Sequence, residues 1–128
     1  VVTGKTGPLL GAASSALLNA LKKLAGIDQE IDLVSARAIE PIQTLKTNYL
    51  GSRNPRLHTD EILIALSSSA AENETAAIAL RQLSKLKGCD MHSTVILSSV
   101  DMDTVKKLGM YLTCEPTYEE ADRMYHKK

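Results

Sequence analysis

Apolar residues in this chain switch repeatedly between two kinds of spacing, and glycines lie close to the points where the spacing changes. Over residues 9–25 the apolar positions recur every three or four residues, as on one face of a helix, and Gly26 follows as a stop signal. Residues 92–97 instead include a short β-branched run that is typical of a strand buried on both faces. This switching favours an α/β fold, which we expect to be a three-layer sandwich with a mostly parallel sheet and helices on both faces.

The same two spacings assign the rest of the chain. We expect strands at residues 1–3, 30–34, 92–97 and 110–113. We expect helices at residues 9–25, 35–49, 58–71, 74–87 and 101–108. In the second of these helices Pro41 is tolerated only near the start, because proline lacks the amide proton that an interior position donates. Residues 1–116 should form a single α/β domain, and residues 117–128 should form a charged C-terminal tail.

The composition excludes several classes of protein. Apolar residues make up 44% of the chain without any Phe or Trp, so the core has to be aliphatic. The 15 basic and 15 acidic residues cancel, so no net field attracts nucleic acid or an anionic membrane. No apolar run approaches the roughly 18 residues that a membrane span needs. Because two cysteines make no disulfide framework, we expect a cytoplasmic protein.

Several stretches of the sequence resemble one known family. They are LKT at residues 45–47, LGSRNPRLHTDE at 50–61, LKGCDMHSTVILS at 86–98, the opening VTGKT and the closing LTCEP. Through them the chain is similar, over nearly all of its length, to the uncharacterised bacterial family called domain of unknown function 1846. The resemblance implies the carboxyl-terminal α/β part of a longer protein, whose other part forms separate domains, and a deaminase-like three-layer topology. It implies no activity, because that family has no established function.

A glycine-containing turn at residues 4–8 and a loop at residues 52–56 both have features of anion-binding segments. The turn precedes a helix, whose free amide groups and positive end favour an anion. The loop places two guanidinium groups beside a hydroxyl and an amide. Together they supply five candidate ligand-binding residues, Lys5, Thr6, Arg53, Asn54 and Arg56. Other roles stay open, because the turn lacks phosphate-loop spacing and the arginines could pair with acids such as Asp60 or with a neighbouring domain.

His58 and Asp60 are the candidate catalytic residues, since both side chains can transfer protons. With Cys89 and His92 they superficially resemble the ligand set of zinc deaminases, in which the second motif opens a helix. Here Cys89 and His92 lead into an expected strand, and Asp60 is shorter than the glutamate of those enzymes. We therefore predict no metal site, and the roles of Cys89, His92 and Cys114 stay open.

Two functions fit these observations. The first is a structural or interaction domain that packs against the absent N-terminal domains of the same protein, or against copies of itself as a homo-oligomer. The second is a binding site for a phosphorylated or carboxylated small molecule at the carboxyl ends of the strands, within an active site that the absent domains complete. The sequence does not decide whether the protein is an enzyme, and it identifies no cofactor.

Overall fold

The structure is a computed structural model that describes residues 2–116. Expectations for Val1 and for the tail at residues 117–128 lie outside the described residues. The α-helices of the described part are α1 (Ala12–Ala25), α2 (Ala36–Thr44), α3 (Thr59–Ala70), α4 (Glu74–Leu80) and α5 (Ser99–Lys107). Its strands are β1 (Asp90–Ser93) and β2 (Tyr111–Cys114). A π-helical turn, Leu45–Tyr49, continues α2, and a 3-10 helix, Arg81–Leu86, continues α4.

Helices and parallel strands occur together, which confirms the α/β class. β1 and β2 pair in parallel with His92 opposite Thr113, and α5 is the crossover that a parallel pair requires. Leu10 and Leu57 form an isolated parallel bridge elsewhere. A two-stranded sheet does not by itself make the expected three-layer sandwich. Within residues 2–116 no helix is long and apolar enough to cross a membrane.

The expected strands at residues 1–3 and 30–34 are wrong for the described residues. Val2 and Thr3 are irregular, and residues 30–34 form turns and bends. Ile31 is exposed while the consecutive Leu33 and Val34 are both buried, which is not the alternation of a half-buried strand. The apolar pattern correctly indicated burial near residue 34, but a strand also needs a hydrogen-bonded neighbour to form.

The strand expected at residues 92–97 lies nearer the N-terminus, because β1 already ends at Ser93. The Ser93 hydroxyl donates to the Val95 carbonyl at 2.6 Å and accepts from the Val95 amide at 3.2 Å. Side-chain bonds of this kind favour a turn over a continued strand. β1 alternates between exposed and partly buried residues, so the expectation of burial on both faces is wrong.

The expected helices are all present, and their apolar faces form the aliphatic core that the composition predicts. Leu21 of α1 packs in one cluster with Ile62 and Leu66 of α3, and all three side chains are fully buried. Gly26 ends α1 with a left-handed backbone, φ 71°, as the stop signal predicts. Pro41 departs from the expectation, since it lies at the sixth residue of α2 and not in the first turn.

Gly4 brings the N-terminal segment directly against α1. A Cβ atom at residue 4 would collide with the backbone of Ala16. The neighbouring Thr3 carbonyl accepts a hydrogen bond of 2.7 Å from the Asn19 side chain on α1. Only glycine therefore permits this approach of the segment to the helix.

We expect Gly4→Ala to lower the free energy of unfolding by about 1–3 kcal/mol, because the added methyl group forces two backbones apart. Gly7→Ala is the matched control, since a Cβ at Gly7 meets nothing within 4 Å. Urea unfolding of both variants measures the difference. Equal stability of the two variants would contradict the close packing of Gly4.

Candidate functional site

The N-terminal ends of α1, α3 and α5 meet around a small cavity. Its volume is about 30 Å³, which is room for roughly one water molecule. The lining includes Gly11 before α1, His58 before α3 and Ser98 before α5, together with Asn54 and Arg56 from the loop. Each helix N-terminus carries a partial positive charge, and three such ends face this cavity.

A buried carboxylate already occupies part of this environment. Asp101 Oδ1 accepts hydrogen bonds from the Thr59 amide at 2.8 Å and from the Thr59 hydroxyl at 2.7 Å. Asp101 lies in the first turn of α5, where Ser98 Oγ accepts from its amide at 3.2 Å. The sequence analysis missed Asp101, although Ser98-x-x-Asp101 has the spacing of a capping motif. Asp101 thus ties α5 to the start of α3 and neutralises that helix end.

A second polar network joins the π-helical turn to the start of α3. The Lys46 ammonium donates to Glu61 Oε1 at 2.8 Å and to the Arg56 carbonyl at 2.5 Å, and Lys46 is only 7% exposed. The His58 amide donates to Glu61 Oε1 at 2.8 Å, and His58 Nδ1 lies 3.2 Å from the same oxygen. Glu61 Oε1 therefore contacts three groups: the buried Lys46 ammonium, the His58 amide that precedes α3, and the His58 imidazole.

This network shifts two pKa values. Burial opposes ionisation of Glu61, but the hydrogen bonds from His58 and Lys46 outweigh it and lower the pKa of Glu61 to about 2. The hydrogen bond to Glu61 raises the pKa of His58 above its ordinary value, against the effect of burial. The folded state therefore favours the ionised carboxylate and the protonated imidazole.

The lowered pKa predicts acid sensitivity of the fold. Ionised Glu61 stabilises the fold fully above its ordinary pKa of 4.5, and this stabilisation is lost as the pH falls toward 2. His58 adds stabilisation that is complete below pH 6.5 and is lost as the pH rises through its raised pKa. We expect Glu61→Gln to cost up to about 3 kcal/mol at pH 7 and less than half of that at pH 3.

Urea unfolding at the two pH values measures this loss, with the exposed Glu72→Gln variant as control. A Glu61→Gln cost that is the same at pH 7 and pH 3 would show that the carboxylate charge is not what stabilises the contact.

The structure does not bring the five predicted ligand-binding residues into one pocket. Arg56 Nε donates to the Gly7 carbonyl at 2.7 Å, which brings the loop against the turn. Asn54 and Arg56 line the small cavity, whereas Lys5 lines a separate and larger cleft beside α1. Arg53 is exposed, and Thr6 is partly buried. The two segments are neighbours, but their cations do not all face one pocket.

The predicted catalytic pair also separates. Asp60 is exposed and accepts a hydrogen bond of 2.8 Å from the Glu61 amide, whereas His58 is bonded to Glu61. His92, from the deaminase-like set, lies on β1 with Nδ1 2.7 Å from Thr113 Oγ1 and Nε2 3.2 Å from Glu115 Oε2. Within residues 2–116 no three His, Cys, Asp or Glu side chains converge as a metal site would require.

The larger cleft has a volume of about 460 Å³ and lies beside α1. Thr3 and Lys5 form part of one wall, Asp32 and Val34 form part of another, and Leu18 of α1 lies between them. The sequence analysis placed strands on both walls and did not foresee a cleft there. Its lining combines apolar side chains, such as Leu18 and Ile39, with polar ones, such as Lys5 and Asp32.

Taken together, these features define an α/β domain whose polar clusters stabilise helix ends and which has an open cleft of about 460 Å³ beside α1. The chain belongs to the family described as "Domain of unknown function DUF1846, C-terminal", which matches residues 1–125. This confirms the resemblance seen in the sequence. The family has no assigned function, and the function of this chain is accordingly not established by membership.

Curated relatives show how much of the protein this chain represents. It is 56% identical to a UPF0371 protein of Corynebacterium aurimucosum and 59% identical to one of Corynebacterium efficiens, in both cases across 100% of the chain. It is 50% identical to a UPF0371 protein of Streptococcus sanguinis across 99% of the chain. The chain spans only 26% of each relative, so most of the relatives' length lies outside it.

Proposed function

We propose that this chain is an interaction domain that docks onto the part of its own protein that precedes it, through the exposed face of its sheet. The observation that carries the proposal is the contrast between the two faces of the β1–β2 pair. Asp90, His92, Tyr111 and Thr113 are exposed on one face, whereas alternate residues such as Leu112 are partly buried. The relatives are about four times longer than this chain, which supplies a partner for the exposed face.

The chemistry of the exposed face fits a protein partner. Tyr111 is 67% exposed, and tyrosine is enriched where interfaces are buried because its ring is apolar and its hydroxyl can bond. His92 on β1 contacts Thr113 on β2 and Glu115 just after β2. These contacts fix the positions of three polar side chains on the same sheet as Tyr111. An aromatic side chain with fixed polar neighbours resembles the centre and rim of a docking surface.

Docking there would also complete the fold. A two-stranded sheet is marginal in water, and a parallel sheet is normally covered on both faces. The preceding part of the protein would supply further strands and the second covering layer, giving the three-layer sandwich that the sequence predicts. Cys89 and Cys114, both free thiols, support a cytoplasmic location for the whole protein.

A separate apolar cluster supports self-association. Leu45, Tyr49 and Leu50 are exposed at the π-helical turn, and Tyr49 is 77% exposed. Ile64 is exposed on α3, one turn beyond Glu61, and Lys46 bonds Glu61 across the same pair of elements. Exposed apolar side chains on two elements that are joined by this ion pair favour an isologous contact between two copies. The homo-oligomer is proposed to form through this cluster and not through the sheet.

Two tyrosine substitutions separate the proposed surfaces. When a tagged chain is co-expressed with the preceding part of the protein, we expect the two to co-purify. Tyr111→Arg should weaken that association at least about tenfold, because an arginine charge would replace the tyrosine ring that the proposed interface buries. Tyr49→Arg should leave co-purification intact but remove the dimer that light scattering detects.

Each variant is therefore the control for the other. Co-purification that survives Tyr111→Arg would remove the sheet face as the docking surface. A wild-type protein that stays monomeric at high concentration would remove the oligomer.

Anion binding is the second candidate, and the Arg56–Gly7 hydrogen bond favours it by joining the two predicted segments. Lys5, Thr6, Arg53, Asn54 and Arg56 would bind a phosphorylated or carboxylated small molecule, with His58 and Asp60 available for proton transfer. Any such ligand would lie on the exposed side of the loop near Arg53, because the cavity behind it holds only about one water.

We expect inorganic phosphate to raise the melting temperature of the full-length protein by a few degrees if this site exists. Arg53→Ala should abolish the rise without destabilising the fold, since Arg53 is exposed. Arg37→Ala, which removes another exposed arginine on α2, is the matched control. A rise that is the same in wild type and Arg53→Ala would exclude the loop.

A further inference from the structure

Three side chains on the exposed face of the sheet form a connected hydroxyl–imidazole–carboxylate row. His92 Nδ1 lies 2.7 Å from Thr113 Oγ1, and His92 Nε2 lies 3.2 Å from Glu115 Oε2. The strand register places His92 directly opposite Thr113. The Glu115 amide donates to the Ser93 carbonyl at 2.9 Å, so the main chain holds Glu115 beside the end of β1.

The two contacts of the His92 ring assign its hydrogen positions. A carboxylate only accepts hydrogen bonds, so in the neutral ring Nε2 is the donor to Glu115. Nδ1 is then the acceptor, and the Thr113 hydroxyl donates to it. The three groups are therefore in the order nucleophile, base and orienting group, which is the arrangement that activates a hydroxyl for attack.

The row lies where α/β proteins bind their ligands. His92 and Thr113 are each the third residue of a four-residue strand, and Glu115 follows the end of β2. Ligands of open α/β sheets bind outside the carboxyl ends of the parallel strands. The side chains of His92 and Glu115 are 56% and 54% exposed, so a substrate can reach both of them.

The sheet does not depend on this row for its pairing. The Tyr111 amide donates to the Cys89 carbonyl at 2.9 Å, and the Glu115 amide bonds the Ser93 carbonyl at the other end of the pair. Exposed contacts between charged and polar side chains add little stability, because water competes for the same groups. Substitutions in the row should therefore leave the strands in place and report on chemistry.

The charges of the face favour one class of substrate. Asp90 and Glu115 both carry carboxylates on exposed side chains, so a phosphorylated or carboxylated donor would meet like charges. An uncharged carboxylic ester avoids that repulsion. Tyr111 lies two residues before Thr113 on the same face and is 67% exposed, and its ring can pack against the carbon chain of such an ester.

We propose that Thr113, His92 and Glu115 form an acyl-transfer site that hydrolyses an uncharged carboxylic ester, with Thr113 as the nucleophile. This inference rests on the proposed function, because the preceding part of the protein would cover the ester and supply the donors that stabilise its carbonyl oxygen. Sites of this kind commonly lie between domains.

The reaction has two steps. Thr113 Oγ1 forms a bond with the ester carbonyl carbon and passes its proton to His92 Nδ1, and Glu115 stabilises the imidazolium. The bond from that carbon to the alcohol oxygen breaks, and Nδ1 returns the proton to the departing alcohol. Water then attacks the acyl group on Thr113 and gives a proton to Nδ1. The bond to Oγ1 breaks, the carboxylic acid leaves, and Oγ1 takes the proton back.

Labelling of the full-length protein with an uncharged alkyl fluorophosphonate tests the proposal. An activated hydroxyl bonds the phosphorus of this reagent and displaces fluoride, so peptide mass spectrometry should find the adduct on Thr113. Thr113→Val should abolish the adduct, because valine keeps the shape without the hydroxyl. His92→Gln should slow labelling at least about a hundredfold, and Glu115→Gln at least about tenfold. Thr104→Val, which removes a hydroxyl on α5, is the matched control and should label as wild type does.

A full-length protein that gains no adduct on Thr113 overturns the proposal. Labelling of Thr113 at the same rate in wild type and His92→Gln also overturns it, because the histidine is then not the base. If Thr113 stays unlabelled while the tagged chain co-purifies with the preceding part, only this inference has failed. If Thr113 is labelled but the two parts never co-purify, only the proposed docking has failed.

Discussion

Burial of the aliphatic face of α1 positions the larger cleft and the segment that leads into α3. Leu17 and Leu21 anchor α1 in the core formed with α3 and α4. Ser14, on the same buried face, donates to the Leu57 carbonyl at 2.9 Å and so fixes the segment that leads into α3. Asn19 and Lys22 of the same helix donate to carbonyls on the two sides of the larger cleft. Loss of the α1 packing would therefore disperse the cleft and the loop contacts together.

Sequence reasoning found the helices but misplaced most of the strands, and the difference has a physical cause. Helical periodicity is local, so the apolar face of α3 could be read from residues 58–71 alone. A strand depends on a neighbour that one segment of sequence does not reveal. At Ser93 a local side-chain bond ended β1, whereas at residues 30–34 burial formed without a strand. At these two places the contacts made in the folded protein, and not the local sequence pattern, determine the secondary structure.

The candidate site was only partly predictable for a similar reason. Sequence reasoning singled out Arg56 and His58, and the structure places both beside the meeting of three helix ends. It did not find Lys46, which sits within the π-helical turn, or the role of Asp101, whose partner Thr59 is 42 residues away. Those contacts depend on how α2, α3 and α5 cross, and no local spacing encodes that crossing.

The charged groups at the start of α3 already have partners within the chain, whereas one face of the sheet remains exposed. Asp101 and Glu61 place carboxylates against the first turn of α3, so the positive end of that helix is already compensated. An added anion would meet two negative charges there, which makes the helix end itself a poor ligand site. The sheet differs, because Asp90, His92, Tyr111 and Thr113 stay exposed on one face of β1 and β2. A parallel sheet is normally covered on both faces, so a covering layer on this exposed face is what the proposed interaction would supply.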